Sequence, residues 1–416
     1  MSIWYAKRYE DATPVAVEVA HGQIKSVQAL TRGQMTEQKL RRETMPWIAP
    51  GLFDIQINGG LGFEFSSDCL TCEQVKQVCD WVLRQGVFRF CPTVTTNSPE
   101  TLCHAVATLA ATLDQYPQYA ELITGIHLEG PFISRQDGSR GAHPLEWCSE
   151  YNPDLFRKLQ QAARGLIRIV TFSPEYDGMP EFVELIEEYG AVPALGHTHA
   201  KPNDIILAAD CGAQLSTHLS NATNHELSKW ENYFLAQLLE ARLRASLIAD
   251  GFHVSPMMLD LILKVKGPDR IILISDQASV SGLAPGKYHT GLCDLELCPS
   301  GKVELSGSDH LLAGASLPIS VGVANLMTIG NLSLKEVWPL ATRHAAELLD
   351  LPAWSNGDGD FLDVGKAADF LLFQVEEAKL GEFGVADTAH FQSGRLLMQS
   401  VVYKGVDLLK ESRTDQ

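Results

Sequence analysis

From about residue 47, short apolar runs alternate with longer segments in which apolar residues recur at helical spacing. This alternation is typical of β-α units that build a parallel sheet. The strand candidates, rich in Ile, Val, Leu and Phe, are WIAPGLFDIQI, FRFCPTVTT, LITGIHLE, LIRIVTFSPE, AVPALGHT, AQLSTHLS, RASLIADGFH and RIILISD. Eight such strands with helical crossovers predict an α/β fold of the (β/α)8 TIM-barrel type.

The two ends of the chain depart from this alternation. Residues 1–49 are polar and strand-like, and the tail that begins at GKAADFLLFQV is strand-like as well. We therefore expect 1–49 and 360–416 to meet in a small β-sandwich domain beside a barrel that spans 50–359. Before the tail, residues 277–350 begin with Gly- and Ser-rich loops and finish in two helices, ISVGVANLMTIG and LKEVWPLATRHAAELLDL.

Composition narrows the class of protein. The chain has 416 residues, of which 45% are hydrophobic and 20% charged, as in a globular protein with a large core. Its 51 acidic and 33 basic residues give a net charge of −18 without a long basic run, which argues against nucleic acid or an anionic membrane as a partner. We see no signal peptide, no apolar run of membrane-spanning length and no zinc-ribbon pairing of the nine cysteines, so we expect a cytoplasmic protein with reduced thiols.

Reactive side chains stand where the predicted strands end. The stretch LITGIHLEGPFIS begins as a buried strand and stops on Glu129, just before a Gly-Pro turn. Other strands end similarly, on Gln56 and Asn58, on His197 and His199, on His218, on Asp250 and His253, and on Asp276. Because catalytic groups of a (β/α)8 barrel come from the carboxyl ends of its strands, the pattern predicts one site on one rim.

Glu129, His197 and His218 together form a plausible metal-ligand set. Carboxylate oxygen and imidazole nitrogen suit zinc and similar divalent ions, and three protein ligands leave a position open for catalysis. Such a metal acidifies bound water and polarises a carbonyl group. Asp276, which ends the apolar run IILIS, is the natural candidate for the general base and then the general acid.

Each residue also has a structural explanation when it is taken alone. A histidine at a strand end is more often hydrogen-bonded than metal-bound, an aspartate before QAS fits a helix N-cap, and Glu129 before Gly-Pro fits a turn. Their joint position on one rim favours the functional interpretation. We expect structural or surface roles for a further group of histidines, namely His199, His225, His289, His310 and His344.

Two histidines in loops are open to either interpretation. His143 lies in GSRGAHP, a Gly-rich segment after the third strand that is able to fold over the mouth of the barrel. His253 follows IADG at the end of the seventh strand. Both positions allow a hydrogen bond to a substrate oxygen.

Eight short motifs, in this order between residues 50 and 370, carry a family resemblance: PGLFDIQINGGLG, GIHLEGPF with GAHP, TFSPE, GHTHA, THLSNA, IADGFHV, ILISD and GKAADF. With them the chain resembles the N-acetylglucosamine-6-phosphate deacetylase family of the amidohydrolase superfamily. HLEGPF and THLxNA together are specific to this family, whereas GKAADF is general to the superfamily.

The resemblance implies a role for particular positions. Glu129, His197 and His218 match the metal ligands of the family, and Asp276 matches its catalytic acid and base. His143 matches a residue that helps the metal polarise the acetyl carbonyl. Three further positions match sugar- or phosphate-binding sites, namely Asn221, the backbone of Ala222, and His253.

The number of metals follows from the end of the first strand. Many amidohydrolases carry His-x-His there and hold two metals, whereas this chain has Gln56-Ile57-Asn58. Because amides are poor ligands for zinc, we predict one tightly held divalent metal, with zinc favoured and iron, manganese and cobalt compatible. We place Gln56 and Asn58 among the substrate-facing residues, and the resemblance further implies a homodimer.

The sequence departs from the family around the substrate and not at the catalytic residues. Where the family has a phosphate-binding Arg between glycines, this chain has Lys229 without them, and Ala315 stands where Ser is usual. Lysine binds phosphate as a point charge without the bidentate fork. We predict hydrolysis of N-acetylglucosamine 6-phosphate to glucosamine 6-phosphate and acetate. The alternatives are the galacto epimer, an unphosphorylated N-acetylhexosamine, or a non-catalytic scaffold.

Overall fold

The computed structural model describes residues 1–224, 226–291, 293–308, 311–380 and 391–411. Its centre is an eight-stranded parallel sheet in which strands adjacent along the chain are also adjacent in the sheet. The first to eighth barrel strands are Leu52–Ile57, Val87–Thr95, Ile126–Glu129, Ile167–Phe172, Val192–Leu195, Leu215–Ser216, Arg244–Ile248 and Ile271–Ile274.

Hydrogen bonds beyond the last strand bring the sheet round into a barrel. The backbone N–H of Asp276 donates to the carbonyl of Gln56 at 3.0 Å, and the N–H of Asn58 donates to the carbonyl of Gln277 at 2.8 Å. The predicted (β/α)8 barrel is thus confirmed. Because this closure lies at the carboxyl edge, it brings the side chains that follow the first strand close to Asp276.

Helices connect successive barrel strands, as the helical periodicity predicts. They are Cys72–Arg84, Pro99–Gln115, Pro153–Ala162, Met179–Glu188, Pro202–Cys211, Tyr233–Leu239 and Pro256–Lys266. Their starts are encoded locally: Thr71 and Gln74 form a capping box, and several helices begin with proline directly after a polar cap residue. Proline suits that position because the first N–H groups of a helix have no partner within it.

Both ends of the chain meet in one seven-stranded sheet. In sheet order its strands are Val406–Asp407, Arg395–Tyr403, Phe370–Glu376, Trp47–Ala49, Ser2–Arg8, Pro14–Ala20 and Gln23–Ala29. Trp338 stacks on Phe373 of this sheet, with ring centroids 5.1 Å apart, and its indole N–H donates to the carbonyl of Pro50. The association of the two termini is as expected, and the exact domain boundaries stay a prediction.

The segment after the eighth strand differs in part from the expected loops. Gly286–His289, Asp294–Leu297 and Val303–Leu305 form a three-stranded antiparallel sheet, which we call the insertion sheet. It forms because alternate residues such as Leu295, Leu297 and Val303 bury their side chains in a small core of their own. Their alternation with polar residues was a strand signal that the glycines and serines obscured.

The two helices expected before the tail are present in modified form. The first is Ile319–Ile329, whereas the second region divides into Leu334–Val337, the 3-10 turn Trp338–Ala341 and Arg343–Leu348. Pro339 explains the division, since proline removes a helical hydrogen bond. The remaining elements are short: the helices Arg32–Glu37 and Leu408–Glu411, the 3-10 turns Pro117–Tyr119 and Pro268–Arg270, and the hairpin of Gly59–Gly60 with Phe63–Glu64.

Two expectations concern the molecule as a whole. All nine cysteines are free, in agreement with reduced thiols. Within the described ranges, the helices are too short or too polar for any of them to span a bilayer.

Candidate metal centre and substrate cavity

A cavity of about 530 Å³ lies at the carboxyl ends of the barrel strands. It contains most of the residues singled out in the sequence: Asn58, Glu129, His143, His197, His218, Asn221, Ala222, His253 and Asp276 all line it. Gln56 is buried just beneath, where it contacts two of them. The strand-end pattern predicted that these residues lie together, and the structure brings them to one cavity.

Glu129, His197 and His218 direct three ligand atoms at one point. Glu129 Oε1 lies 3.1 Å from His197 Nε2 and 2.9 Å from His218 Nε2, and the two nitrogens are 3.1 Å apart. Ligands bound at about 2.0–2.1 Å in a tetrahedron lie roughly 3.3 Å from one another. This triangle therefore has the size that a single divalent cation requires, and its donor types suit one.

The backbone directs these side chains inward at some energetic cost. His197, His218 and Asp276 have φ values of 48°, 33° and 56°, in the left-handed region that L-residues seldom adopt. Each stands two residues beyond the end of a barrel strand, and its side chain lines the cavity. Strained residues of this kind cluster at functional sites.

A hydrogen bond at the far side of the His197 ring orients this ligand. His197 Nδ1 donates to the carbonyl of Ser139 at 3.2 Å, which fixes the orientation of the ring. Although burial alone would raise the pKa of Glu129, hydrogen bonds from His197 and His218 hold that pKa well below its usual range. The carboxylate is thus ionised and available as a ligand.

His143 lies directly beside this cluster. Its ring centroid is 4.2 Å from that of His197, and its Nδ1 lies 2.8 Å from the hydroxyl of Thr96. A ligand atom of His143 falls within 4.8 Å of those of Glu129 and His197, so this loop histidine reaches the metal-ligand group. Burial, and then the proximity of His197, lower the pKa of His143 to about 3, so its ring is neutral.

Asp276 is joined to the cluster through amide groups. Its Oδ1 accepts hydrogen bonds from Asn58 Nδ2 at 2.8 Å and from Gln56 Nε2 at 3.1 Å. Gln56 Nε2 also donates to Glu129 Oε1 at 3.1 Å. Both amides therefore act as donors to carboxylates. Burial, and then the charge of Glu129, raise the pKa of Asp276 to about 6.

The opposite part of the cavity is built from the loops after the sixth and seventh strands. Ser220 and Ala222 have φ values of 84° and 49°, in the left-handed region, and the Asn221 N–H between them donates to the carbonyl of His218 at 2.8 Å. His253 Nδ1 lies 2.8 Å from Asp250 Oδ2. Burial opposes a charge on His253, but the Asp250 carboxylate outweighs it and raises the pKa of the imidazole.

Lys229 is not brought to this cavity, contrary to its expected place among the substrate-binding residues. It lines a separate open groove with Trp230, Leu235 and Leu239, beside the helices Pro202–Cys211 and Tyr233–Leu239. The loop runs outward over the surface there, and Trp230 is 92% exposed. Within the described part of the chain, neither Lys nor Arg lines the cavity.

The other expectations about histidines are met where the structure describes them. His344 is buried against the carbonyl of Ile271, His289 pairs with Asp294 at the surface, and His199 lines neither groove nor cavity. His225 and His310 lie outside the described residues. Sequence reasoning missed Thr96 and Glu64, although Thr96 directly follows the second barrel strand and so obeys the same strand-end rule.

A barrel whose carboxyl rim carries two histidines, a glutamate and a buried aspartate defines a metal-dependent hydrolase of the amidohydrolase type. The chain belongs to the amidohydrolase family, whose model matches residues 47–399.

Its relatives confirm the narrower resemblance. The chain is 31% identical to the N-acetylglucosamine-6-phosphate deacetylase of Bos taurus, over 80% of this chain and 85% of the relative. It is 28% identical to the N-acetylgalactosamine-6-phosphate deacetylase of Shewanella sp. (strain ANA-3), over 88% and 93% of the two chains. The crystal structure of N-acetyl-D-glucosamine-6-phosphate deacetylase from Mycobacterium smegmatis shares the fold, with a TM-score of 0.79, 24% identity and coverage of 98% and 100%.

Proposed function

We propose that this protein is a metal-dependent deacetylase that hydrolyses N-acetylglucosamine 6-phosphate to glucosamine 6-phosphate and acetate. The observation that carries the proposal is the triangle of Glu129, His197 and His218 with Asp276 linked to it through Gln56. The relatives named above supply the substrate class.

Glu129, His197 and His218 would hold one divalent metal, with zinc favoured by their donor atoms. Gln56 and Asn58 donate to Asp276 and Glu129, an arrangement that supports one metal because their amide N–H groups cannot ligate a second. When bound, the metal lowers the pKa of the hydrolytic water and polarises the acetyl carbonyl.

Asp276 accepts the proton of the attacking water and returns it to the departing amine. Asn58 and Gln56 orient its carboxylate through hydrogen bonds of 2.8 and 3.1 Å. The raised pKa of Asp276 lies closer to neutral pH, and a general base and acid works best when its pKa is near the working pH. The Thr96 hydroxyl donates to Nδ1 of His143 at 2.8 Å, so the single N–H of this neutral ring is on Nε2 and donates to the acetyl carbonyl oxygen.

The sugar phosphate occupies the opposite part of the cavity. Asn221 and Ala222 line this part, where the backbone of Ala222 contacts the substrate, and the Asp250 carboxylate favours a positive charge on His253. These groups take the place of the phosphate-binding arginine of the family, at whose position this chain has Lys229. Lys229 takes no part in this arrangement.

We also propose that the protein acts in the cytoplasm as a homodimer. Nine free cysteines suit a reducing compartment. The exposed groove with Trp230 and Leu239, which is 69% exposed, offers an apolar surface to a second copy. Sedimentation equilibrium of the wild type and of a Trp230→Glu, Leu239→Glu variant tests it, since the variant should be monomeric.

Acetate release by purified protein of recorded metal content tests the activity. N-acetylglucosamine 6-phosphate, its galacto epimer and the two unphosphorylated sugars should be offered side by side. We expect the gluco phosphate to have the highest kcat/KM. Preference for the galacto phosphate would favour the second candidate, which the long match to the Shewanella relative supports. No release from any of them would overturn the proposal.

A further inference from the structure

One wall of the cavity carries a carboxyl group to which the proposed reaction gives no role. Glu64 lies in the hairpin that directly follows the first barrel strand, where it pairs with Gly59. The N–H of Phe65 donates to the carbonyl of Asn58 at 3.0 Å, which folds the hairpin back over the rim. Glu64 therefore lines the same cavity as Asp276.

The Glu64 carboxyl lacks a complete set of hydrogen bonds. Its Oε2 atom is buried and has no partner within the described residues. The Gly291 N–H interacts with the carboxyl, but burial dominates and raises its pKa to about 7. A buried acceptor without a partner costs free energy, so its persistence calls for a ligand or a function.

The surroundings of Glu64 make this unpaired oxygen more distinctive. The cavity lining also includes residues that present little polar surface, among them Cys293, Leu295, Leu311 and Leu312. Asn58 directly precedes the hairpin, and its Oδ1 atom is also buried without a partner in the described chain. Two unpaired acceptors thus belong to residues that line the same cavity.

Charge determines what kind of group fits there. Asp276 follows the eighth strand and so stands on the rim between Glu64, after the first strand, and His253, after the seventh. A phosphate near His253 is therefore kept away from the Glu64 carboxyl, which would repel it. A neutral donor satisfies Oε2, and the donors that an N-acetylhexosamine offers beyond its amide are hydroxyl groups.

We propose that Glu64 is a specificity-determining residue whose carboxyl accepts a hydrogen bond from a ring hydroxyl of the amino sugar. The inference rests on the proposed function and deepens it. The carboxyl selects substrates with a hydroxyl on that edge of the ring. It also orients the sugar so that its anionic end lies toward His253.

Steady-state acetate release by the wild type, Glu64→Ala and Glu64→Gln tests this role. The substrates are N-acetylglucosamine 6-phosphate and its 1,5-anhydro, 3-deoxy and 4-deoxy analogues. The matched control is Glu296→Gln, on the insertion sheet, whose carboxyl pairs with Lys287 outside the cavity. Metal content and Tm of every variant are recorded.

We expect Glu64→Ala to lower kcat/KM for the parent sugar by roughly tenfold or more, mainly through KM, because a buried hydrogen bond to the carboxyl is lost. For one of the three analogues, the wild type should have a kcat/KM lower than for the parent sugar by a similar factor. Glu64→Ala should have the same kcat/KM for that analogue as for the parent sugar. Glu64→Gln, which keeps an acceptor oxygen of the same reach, should restore part of the loss.

Other outcomes overturn the inference in distinguishable ways. If Glu64→Ala matches the wild type, or loses the same factor on every analogue, Glu64 does not contact a ring hydroxyl. If Glu64→Ala fails to fold, the comparison of kcat/KM between the parent sugar and its analogues is made with Glu64→Gln and is judged in the same way. If the wild type releases no acetate from any phosphosugar, the proposed function and this inference fall together.

Discussion

Gln56 stands where many amidohydrolases carry a histidine pair, and its hydrogen bonds explain why an amide suits this position. Its Nε2 donates to Glu129 Oε1 and to Asp276 Oδ1, both at 3.1 Å. Two carboxylates that share a buried site repel each other, and a donor between them relieves the repulsion. An acceptor in this position, such as the unprotonated nitrogen of a metal-free imidazole, would not relieve the repulsion. The residue thus couples the proposed metal ligand to the proposed base.

Replacement of Asp276 tests the base directly. We expect Asp276→Asn to lower kcat by at least roughly 10²–10⁴-fold, because the amide cannot accept the proton of water. Bound metal should persist, since Glu129, His197 and His218 are unchanged. Acetate release and metal analysis measure the two quantities, with Asp260→Asn, on an exposed helix face, as the control. Near-wild-type turnover would exclude Asp276 as the base.

At the scale of elements, the loop after the sixth strand separates two candidates for phosphate binding. His253 lines the cavity, whereas Lys229 lines the outer groove. We expect His253→Asn to raise the KM for the phosphorylated sugar roughly tenfold or more, because a charge-assisted bond is lost, and Lys229→Ala to leave it within about twofold. A large effect of Lys229→Ala would mean that this loop closes over the cavity.

The junction of the first and eighth barrel strands contains a buried carboxyl that should titrate with folding. Asp54 is fully buried and accepts hydrogen bonds from the N–H groups of Ser275 and Gln56, yet burial raises its pKa to about 7. The unfolded carboxyl ionises near 3.9. Stability from Asp54 is therefore fully present below about pH 4 and is lost as the pH rises to about 7, by up to roughly 4 kcal/mol.

Thermal unfolding of Asp54→Asn between pH 4 and 8 checks this sign. The Tm of the variant relative to wild type should increase as the pH rises through that range, because the variant has no carboxyl to ionise. Asp260→Asn, whose carboxyl is at the surface, should follow the wild-type curve. A constant difference between Asp54→Asn and wild type would show that Asp54 stays ionised in the fold.

At the scale of the whole molecule, some features could be read from the sequence and others could not. The eight apolar runs predicted the barrel because parallel strands are buried on both faces. The rim residues could be grouped because all strands of such a barrel end on the same side. The insertion sheet, the double role of Gln56 and the place of Lys229 depend on contacts between distant segments, which local patterns do not encode.

Removal of the metal tests how far the site is integrated with the fold. Binding to the folded state alone stabilises by about 2.7 kcal/mol when the free ion is 100-fold above its Kd, so chelation should lower Tm as well as abolish acetate release. Added zinc should restore both. Asp276→Asn should retain the metal-dependent change in Tm while it lacks turnover, whereas His218→Ala should lose both, because only the second substitution removes a proposed ligand. A metal-dependent Tm in His218→Ala equal to that of the wild type would mean that the ion is held elsewhere.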